Sequence, residues 1–384
     1  MDDVTIIAYP GFRSTSLLSL VEGRSRYMVP FGGKFRVVDF LLGGALASNA
    51  RRTIIYNNYD DDLEEYVERH GPFKGQEFPR VKVMSREQND TRVCYELIMD
   101  SNTGYYIIYN GDHPAIIDFP LLMRRYHALR KNAVLFKLKF GGSATMAHTC
   151  LVTDQASILA AVNTAIEEGR QSPGLFEMII NLVQIKGVEV SEFPVEYWPL
   201  KRVTDYYFIN HAIFRTPDLF NLLFRTSSIQ SRIEIERYAN LGRFANISNA
   251  YISDGCDING TVTNSIIFPG VVIGEKSIVR DSIILPHVRI GDGSTVVRTV
   301  IDERTEPAET GLNVGHRCRV GSEEENIRNS DYSRTISRGI TLIGRNARIQ
   351  DGSNIGGACY VAPGVVPGGP EGRITLYNGL SVVK

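Results

Sequence analysis

The apolar run Val4-Thr5-Ile6-Ile7-Ala8-Tyr9 ends in a turn, Tyr9-Pro10-Gly11-Phe12-Arg13-Ser14-Thr15-Ser16-Leu17. A turn after a strand can aim backbone N–H groups at a phosphate. This one suits the task poorly, with one glycine, Gly11, and a bulky Phe12 where backbone would have to approach an anion. Downstream, Val29-Pro30-Phe31-Gly32-Gly33-Lys34-Phe35-Arg36 sets a Gly-Gly turn signal beside two cations. Lys34 and Arg36 are two apart, so in extended backbone both face one side and could clamp an anion. The plainer reading is a solvated turn with two surface cations. A third polar turn, Asn110-Gly111-Asp112-His113, closes the run Tyr105-Tyr106-Ile107-Ile108-Tyr109.

The elements that must position these turns fall into two textures. Residues 1–240 alternate short apolar runs with segments of helical length. Val4–Tyr9, Thr53–Tyr56, Tyr105–Tyr109 and Ala133–Phe140 read as strands; Phe40–Ser48, Leu63–His70 and Leu121–Arg130 read as helices. This alternation predicts βα units around a mostly parallel sheet. Over residues 245–384 the pattern changes. Asn264–Arg280, NSIIFPGVVIGEKSIVR, aligns without gaps on Asp281–Val297, DSIILPHVRIGDGSTVV, at a 17-residue offset. Ile267, Ile284 and Ile301 are equivalent positions, as are Ile273 and Ile290, and Ile343, Ile349, Ile355 and Val361 recur every six residues. Six-residue steps, about three to a coil, are the pattern of a hexapeptide β-helix, whose coils bury their apolar faces only by stacking. A β-sandwich, the plainer alternative, does not repeat Ile-Gly at coil spacing. The stretch 303–338 is poor in apolar residues and carries Glu323-Glu324-Glu325-Asn326, which predicts a loop inserted in the solenoid.

Bulk composition excludes several classes. The 384 residues carry a net charge of −1, which argues against a protein that holds nucleic acid through a basic field. Apolar runs fall short of the roughly 20 residues that span a bilayer. The start, Met1-Asp2-Asp3-Val4, is acidic where a secretory leader would be basic. The five cysteines are scattered with no Cys-x-x-Cys pair, so neither a disulfide framework nor a zinc knuckle is indicated. The expectation is a two-domain cytoplasmic protein with no membrane or nucleic-acid partner.

The run VPFGGKFRVVDFLLGGALASNARRTIIYNNY, the Tyr109–His113 strand end, the NSIIFPGVVIG repeats and Arg338-Gly339-Ile340-Thr341 to Gly344 follow one another along the chain. In that order they resemble the bacterial ADP-glucose pyrophosphorylase (glucose-1-phosphate adenylyltransferase) family over most of the sequence. The resemblance implies a Rossmann-like, GT-A-like nucleotidyltransferase domain over 1–240 and a left-handed hexapeptide-repeat β-helix over 245–384. It also implies tetramers that make ADP-glucose and pyrophosphate from ATP and glucose 1-phosphate for glycogen or starch.

Nucleotidyl transfer joins two anions. It needs Mg²⁺ held by carboxylates, a backbone phosphate cradle, and cations for the charge on the leaving pyrophosphate. Where the family reads Gly-Gly-x-Gly-Thr-Arg-Leu, this chain has Phe12 and Ser14 in place of glycines and Ser16 in place of the pyrophosphate-contacting Arg. Arg26-Tyr27-Met28 stands where the family has Lys-Pro-Ala; Arg26 keeps the charge without the ammonium geometry. Gln88-Asn89-Asp90-Thr91-Arg92 replaces a Gly-Thr-Ala loop, and Glu192 to Pro199 lacks the sugar-phosphate Lys. No Asp lies between Asp218 and Asp254, where the family places its second metal ligand. Gly11 and Asp112 survive as a nucleotide-binding vestige, Asp112 being either an unpaired metal ligand or a residue kept for its turn.

Losses gathered at the chemistry, with the repeats intact, make the sequence most similar to the family's GlgD-type regulatory subunit. That implies a catalytically weak chain paired in a heterotetramer with a catalytic GlgC-type subunit, which would hold the Mg²⁺. No cofactor is then certain for this chain. A sugar-phosphate or nucleotide effector is implied, with Arg24, Arg26, Lys34, Arg36, Arg51 and Arg52 as effector, phosphate or interface candidates, or as plain surface. Two alternatives stand beside this reading. One is an active sugar-1-phosphate nucleotidyltransferase with a rebuilt site. The other is a solenoid-based scaffold or acyltransferase, for which His287 would be the catalytic candidate, a packing or surface His being the plainer reading. Tyr197, Trp198, Tyr206 and Tyr207 could line a sugar pocket or form core.

Overall fold

The computed structural model describes residues 1, 3–9, 15–57, 59, 62–70, 81–84, 98–99, 102–139, 149–167, 188–226, 229, 237–305, 311–369 and 372–383. The N-terminal domain is built on a seven-stranded sheet. Its strands, in chain order, are β1 (Val4–Tyr9), β4 (Arg52–Tyr56), β5 (Val81–Met84), β6 (Tyr105–Asn110), β8 (Ala133–Lys139), β9 (Thr149–Asp154) and β10 (Glu189–Pro194). The spatial order is β10-β8-β9-β6-β1-β4-β5, parallel throughout except for β9, which runs against both its neighbours. Two short pairs complete the strands: β2 (Pro30–Phe31) with β3 (Phe35–Arg36), and β7 (Ala115–Ile116) with β11 (Glu196–Tyr197). The central strand VTIIAY is buried on both faces, as a β-branched run in a covered parallel sheet should be.

Each face has its own core. Ile6, Ala8, Ile107 and Tyr109 pack with Val38 and Leu41 of helix α1 (Val37–Ser48) and Leu122 of α3 (Phe119–Leu129). Ile7, Tyr9, Ile108 and Leu151 pack with Ile158 and Val162 of α4 (Gln155–Glu167). Helix α2 (Leu63–His70) carries Tyr66, whose hydroxyl donates to Asp39 Oδ1 at 2.8 Å. Local chemistry sets the ends. Asp39 accepts from the Arg36 backbone at 2.8 Å to open α1, and Asn49, at φ 51, closes it. Asp118 caps α3 through the Leu121 N–H, with Pro120 in the first turn.

The C-terminal domain is a parallel β-helix of three faces. One face stacks Asn240–Leu241, Asp257–Ile258, Val272–Ile273 and Arg289–Ile290, then continues through single bridges at Val314 and Ile349. The second runs from Asn246–Ser248 to Thr375–Leu376 and the third from Tyr251–Ile252 to Ser381–Val382, seven strands each. The six-residue steps are steps between faces: Ile343 is on the third, Ile349 on the first, Ile355 on the second and Val361 on the third again. Helix α5 (Val203–Arg215) of the first domain lies against this stack, followed by α6 (Pro217–Asn221).

The Ile-Ile doublets of the repeats have two jobs. On the third face Ile267, Ile284, Ile301, Ile343 and Val361 point inward and fill the solenoid. Their neighbours Ile266, Ile283, Val300, Leu342 and Tyr360 point outward and pack on Phe31, Phe40, Trp198 and Tyr206 of the first domain. The two domains therefore share one apolar core. The stretch 303–338 is not one inserted loop: it contains a coil, since Val314 bridges Ile290 and Arg319–Val320 pairs with Thr295–Val296. A coil needs only a few inward residues, here Val314, Cys318 and Val320, so its low apolar content disguised it.

Candidate functional site

In an open α/β sheet the site lies beyond the carboxyl ends of the central strands. Here that edge is formed by β1 and β6, which run in register from Val4↔Tyr105 to Tyr9↔Asn110. Gly11, Phe12 and Ser14 lie outside the described residues. Ser16 is half-buried in the 3₁₀ segment Thr15–Val21, which turns sharply at Leu18, φ 50. The stretch 88–92 also lies outside the described residues.

Past β6, Asn110 Oδ1 accepts from the Asp112 backbone N–H at 2.8 Å, and Asp112 is 4% exposed. His113 is a brace: its Nδ1 accepts from the Leu200 N–H at 2.9 Å, and its ring meets Tyr197 edge-on at 5.5 Å. Tyr27 fills the space beside Asp112. It is fully buried, and a Cβ added at Gly111 would lie 2.8 Å from its ring. Its hydroxyl has no hydrogen-bond partner among the described residues. Burial, and then the charge of Asp112, push that phenol well above the usual tyrosine range. Burial raises Tyr197 likewise, with Arg26 opposing and Asp112 adding to the rise. Arg26 is spent on structure, donating to the Leu200 carbonyl at 3.0 Å. Asp112, Arg26, Tyr27 and Tyr197 are thus brought together, as a carboxylate and a guanidinium among phenols.

This set does not fit a catalytic Mg²⁺. A hard dication wants several oxygen ligands and keeps much of its water. Asp112 is nearly closed to solvent with a phenol beside it, and among the described residues no three His, Cys, Asp or Glu side chains converge to hold a metal.

The other candidate cations separate. Arg24 and Arg36 point into the domain junction, onto Asp302 and Glu303 of the solenoid. Arg24 Nη2 lies 2.7 Å from Asp302 Oδ1, Arg24 Nη1 bonds Glu303 Oε1, and Arg36 Nη2 lies 3.1 Å from Glu303 Oε2. Burial works to raise the Glu303 carboxyl, but Arg36, Arg24 and Arg345 overrule it and hold it down at about 2. Lys34 goes elsewhere, 5.2 Å from the Phe35 ring centre and 5.4 Å from that of Phe224. The Lys34–Arg36 clamp therefore does not form: Lys34 lies over the Phe35 and Phe224 rings, while Arg36 is taken up by the Met28 carbonyl and Glu303. Arg51 and Arg52 sit where β4 begins, with Arg52 opposite Thr5. Asp112 lies past the other end of the sheet, roughly 13 Å away along the strands. Neither belongs to its surroundings.

Tyr197, Trp198, Tyr206 and Tyr207 are core, not a sugar pocket; Trp198 packs on Phe31 and Phe40, with ring centres at 5.9 and 5.7 Å. His287, at φ 62, is exposed at the solenoid corner that Gly270 takes one coil earlier. Sequence reasoning missed three groups. Asp302 was not singled out and Glu303 read as the start of a loop; their signal was two acids directly after an inward Ile. His211 gave no signal. It is buried against Tyr207, and burial, then Arg215 and Arg298, lower it to about 3.

Comparisons with known proteins agree with this architecture. Residues 236–343 match the family model described as GlmU-like, C-terminal hexapeptide. Over 96% of both chains the sequence is 26% identical to a glucose-1-phosphate adenylyltransferase of Pseudothermotoga lettingae. It is 24% identical to that of Fervidobacterium nodosum over 93% of this chain and 94% of the relative. To that of Acetivibrio thermocellus it is 30% identical over 39% of this chain and 33% of the relative.

Proposed function

Because the chain belongs to the glucose-1-phosphate adenylyltransferase family, we propose that it serves the family's reaction as a regulatory subunit with little or no turnover of its own. The reaction joins the phosphate of glucose 1-phosphate to the α-phosphorus of ATP and expels pyrophosphate. The observation that carries the reading is Tyr27, fully buried against Gly111 beside Asp112, where an anionic substrate and its metal would need room and charge. The sequence supports it, with Ser16 in place of a cation for the leaving pyrophosphate and Phe12 and Ser14 in place of glycines. Removing one group that stabilises transition-state charge typically costs about 2.7–4 kcal/mol of barrier. Several such losses together leave little rate, though they do not add.

In this reading a catalytic family member holds the Mg²⁺ and the substrates, and this chain joins it in a cytoplasmic heterotetramer. Apolar residues at the open ends of the solenoid support such contact: Tyr238 is 90% exposed at the first coil and Tyr377 73% exposed at the last. A subunit that binds the active form of its partner more tightly shifts the partner's population toward that form. The test is ADP-glucose synthesis from ATP, glucose 1-phosphate and Mg²⁺ by this chain alone, by a catalytic relative alone, and by the mixture. The expected result is silence alone and a changed rate or saturation in the mixture. Ordinary turnover by the chain alone would instead favour an active enzyme with a rebuilt site.

A further inference from the structure

An open α/β sheet keeps its ligand crevice beyond the carboxyl ends of its central strands. Beyond β1 and β6 of this chain a side chain stands in that place. Tyr27, from the 3₁₀ turn Arg26–Met28, is 0% exposed and packs in one core cluster with Ala8, Tyr109 and Ala115. Its ring reaches Gly111, the residue before Asp112: a Cβ there would lie 2.8 Å from Tyr27 Cε1 and 3.3 Å from its Oη. Gly111 is not among the glycines of positive φ, so the missing Cβ serves the approach of the ring and not the backbone. The Tyr27 hydroxyl is buried and donates to no described residue. A buried donor left unpaired weakens a fold, and phenylalanine would pack here without that cost. What the position uses is the bulk of the ring.

We propose that Tyr27 is a stopper, a single side chain that holds a divalent cation and the polyphosphate it carries away from Asp112. This deepens the regulatory reading above and rests on it. The strand end does not need Tyr27 to hold its shape: Asn110 Oδ1 accepts from the Asp112 N–H at 2.8 Å, and His113 Nδ1 accepts from the Leu200 N–H at 2.9 Å. A hard dication takes carboxylate oxygens, phosphate oxygens and water together, and that assembly needs the volume the ring fills. Withdrawing the ring while keeping Asp112 returns one carboxylate to the crevice. One carboxylate is too little to hold a bare cation, but it adds a ligand to a cation that a nucleotide already carries.

The probe is ATP with Mn²⁺, applied to the purified chain without a partner and without glucose 1-phosphate. Binding is read by calorimetric titration and by the electron paramagnetic resonance of free Mn²⁺. Four proteins are compared: the unsubstituted chain, Tyr27→Phe, Tyr27→Ala, and Tyr27→Ala with Asp112→Asn. Tyr27→Ala is expected to bind Mn²⁺-ATP at least about tenfold more tightly than the unsubstituted chain. Tyr27→Phe, which keeps the bulk, is expected to match the unsubstituted chain, and adding Asp112→Asn is expected to remove the gain. Melting temperature checks that each protein is folded. Should Tyr27→Ala not fold, Tyr27→Leu carries the same expectation, since it keeps the packing near the backbone and withdraws the outer edge of the ring. Three results would overturn the proposal: no gain in the folded Ala or Leu variant, an equal gain in Tyr27→Phe, or a gain that survives Asp112→Asn. Such a failure leaves the regulatory reading in place, because a chain can be silent for reasons other than Tyr27. Turnover by the unsubstituted chain overturns that reading, whatever Tyr27→Ala binds.

Discussion

His211 shows what a single buried group does to stability. Its ring lies against Tyr207, with centres 4.4 Å apart, and its Nε2 is buried with no hydrogen-bond partner among the described residues. Burial lowers it to about 3 from an ordinary 6.5, and Arg215 and Arg298 add to the shift. The native state therefore binds this proton more weakly than the unfolded chain does. The resulting stability is whole above pH 6.5 and drains as the pH falls from 6.5 toward 3. Between pH 6.5 and 4.5 the loss from this residue approaches about 2–3 kcal/mol. Glu303, depressed from 4.5 to about 2, acts in the same direction but only below about pH 4.5, so the two windows separate. Denaturant unfolding of His211→Phe at pH 6.5 and 4.5 is expected to show a fall smaller by that amount. An identical fall in both proteins would mean that His211 binds its proton equally well in the folded and unfolded chains. Residues of this kind are the least legible in sequence. Tyr207 and Arg215 stand one turn to either side of His211 on α5, but the burial that lowers it comes from packing on the solenoid near Arg298, which no local pattern shows. The phosphate-loop substitutions were legible because they occupy consecutive positions of one turn. Arg24 and Arg36 were visible as cations, but their partners Asp302 and Glu303 lie some 270 residues on, and no local pattern joins them.

Elements were more legible, since periodicity is written locally. The 17-residue repeats and the six-residue Ile steps predicted the β-helix and its register; Ile267, Ile284 and Ile301 do stack in one column. What they concealed was the outward Ile of each doublet, whose cover is a different domain. The hairpin β2–β3 shows the same division. Gly32-Gly33 announced a turn, but the reason for Gly33 is tertiary: it has φ +83, and a Cβ there would sit 2.5 Å from the Tyr251 ring of the first coils. Gly364 provides the control, with φ +68 and nothing within 4 Å. Alanine at Gly364 should cost only the left-handed backbone, about 1–2 kcal/mol. Alanine at Gly33 adds overpacking of a closed junction, for about 2–4 kcal/mol in all. Equal losses in urea unfolding of the two variants would mean that the hairpin does not pack firmly on the solenoid.

At the scale of the whole molecule, the sequence suggested two domains by its change of texture, yet the core does not respect that division. Phe31, Phe40, Trp198 and Tyr206 from the first domain and Ile266, Ile283, Val300 and Leu342 from the second belong to one buried cluster. Polar contacts cross the same junction: Thr204 Oγ1 donates at 3.0 Å to the Thr335 carbonyl, and Tyr207 Oη donates at 2.6 Å to the carbonyl of Asp281, both in the solenoid. The buried pair Arg24–Asp302 ties the two further, and breaking such a pair from one side costs about 3–5 kcal/mol. Repeat arrays usually unfold through nearest-neighbour terms, independently of whatever is attached to them. Here the third face of the array cannot lose its cover without baring a continuous apolar row, a larger exposed patch than soluble monomers carry. Calorimetry of the full chain is therefore expected to show a single transition, with calorimetric and van't Hoff enthalpies equal. A fragment limited to residues 237–383 is expected to self-associate, and replacing Ile266, Ile283 and Leu342 by Thr in that fragment should restore a monomer, because their inward neighbours still fill the coils. Two well-separated transitions in the full chain, or a monomeric unsubstituted fragment, would mean that the shared cluster is contact without coupling. The solenoid would then be free to move against the first domain, instead of moving with it as one body.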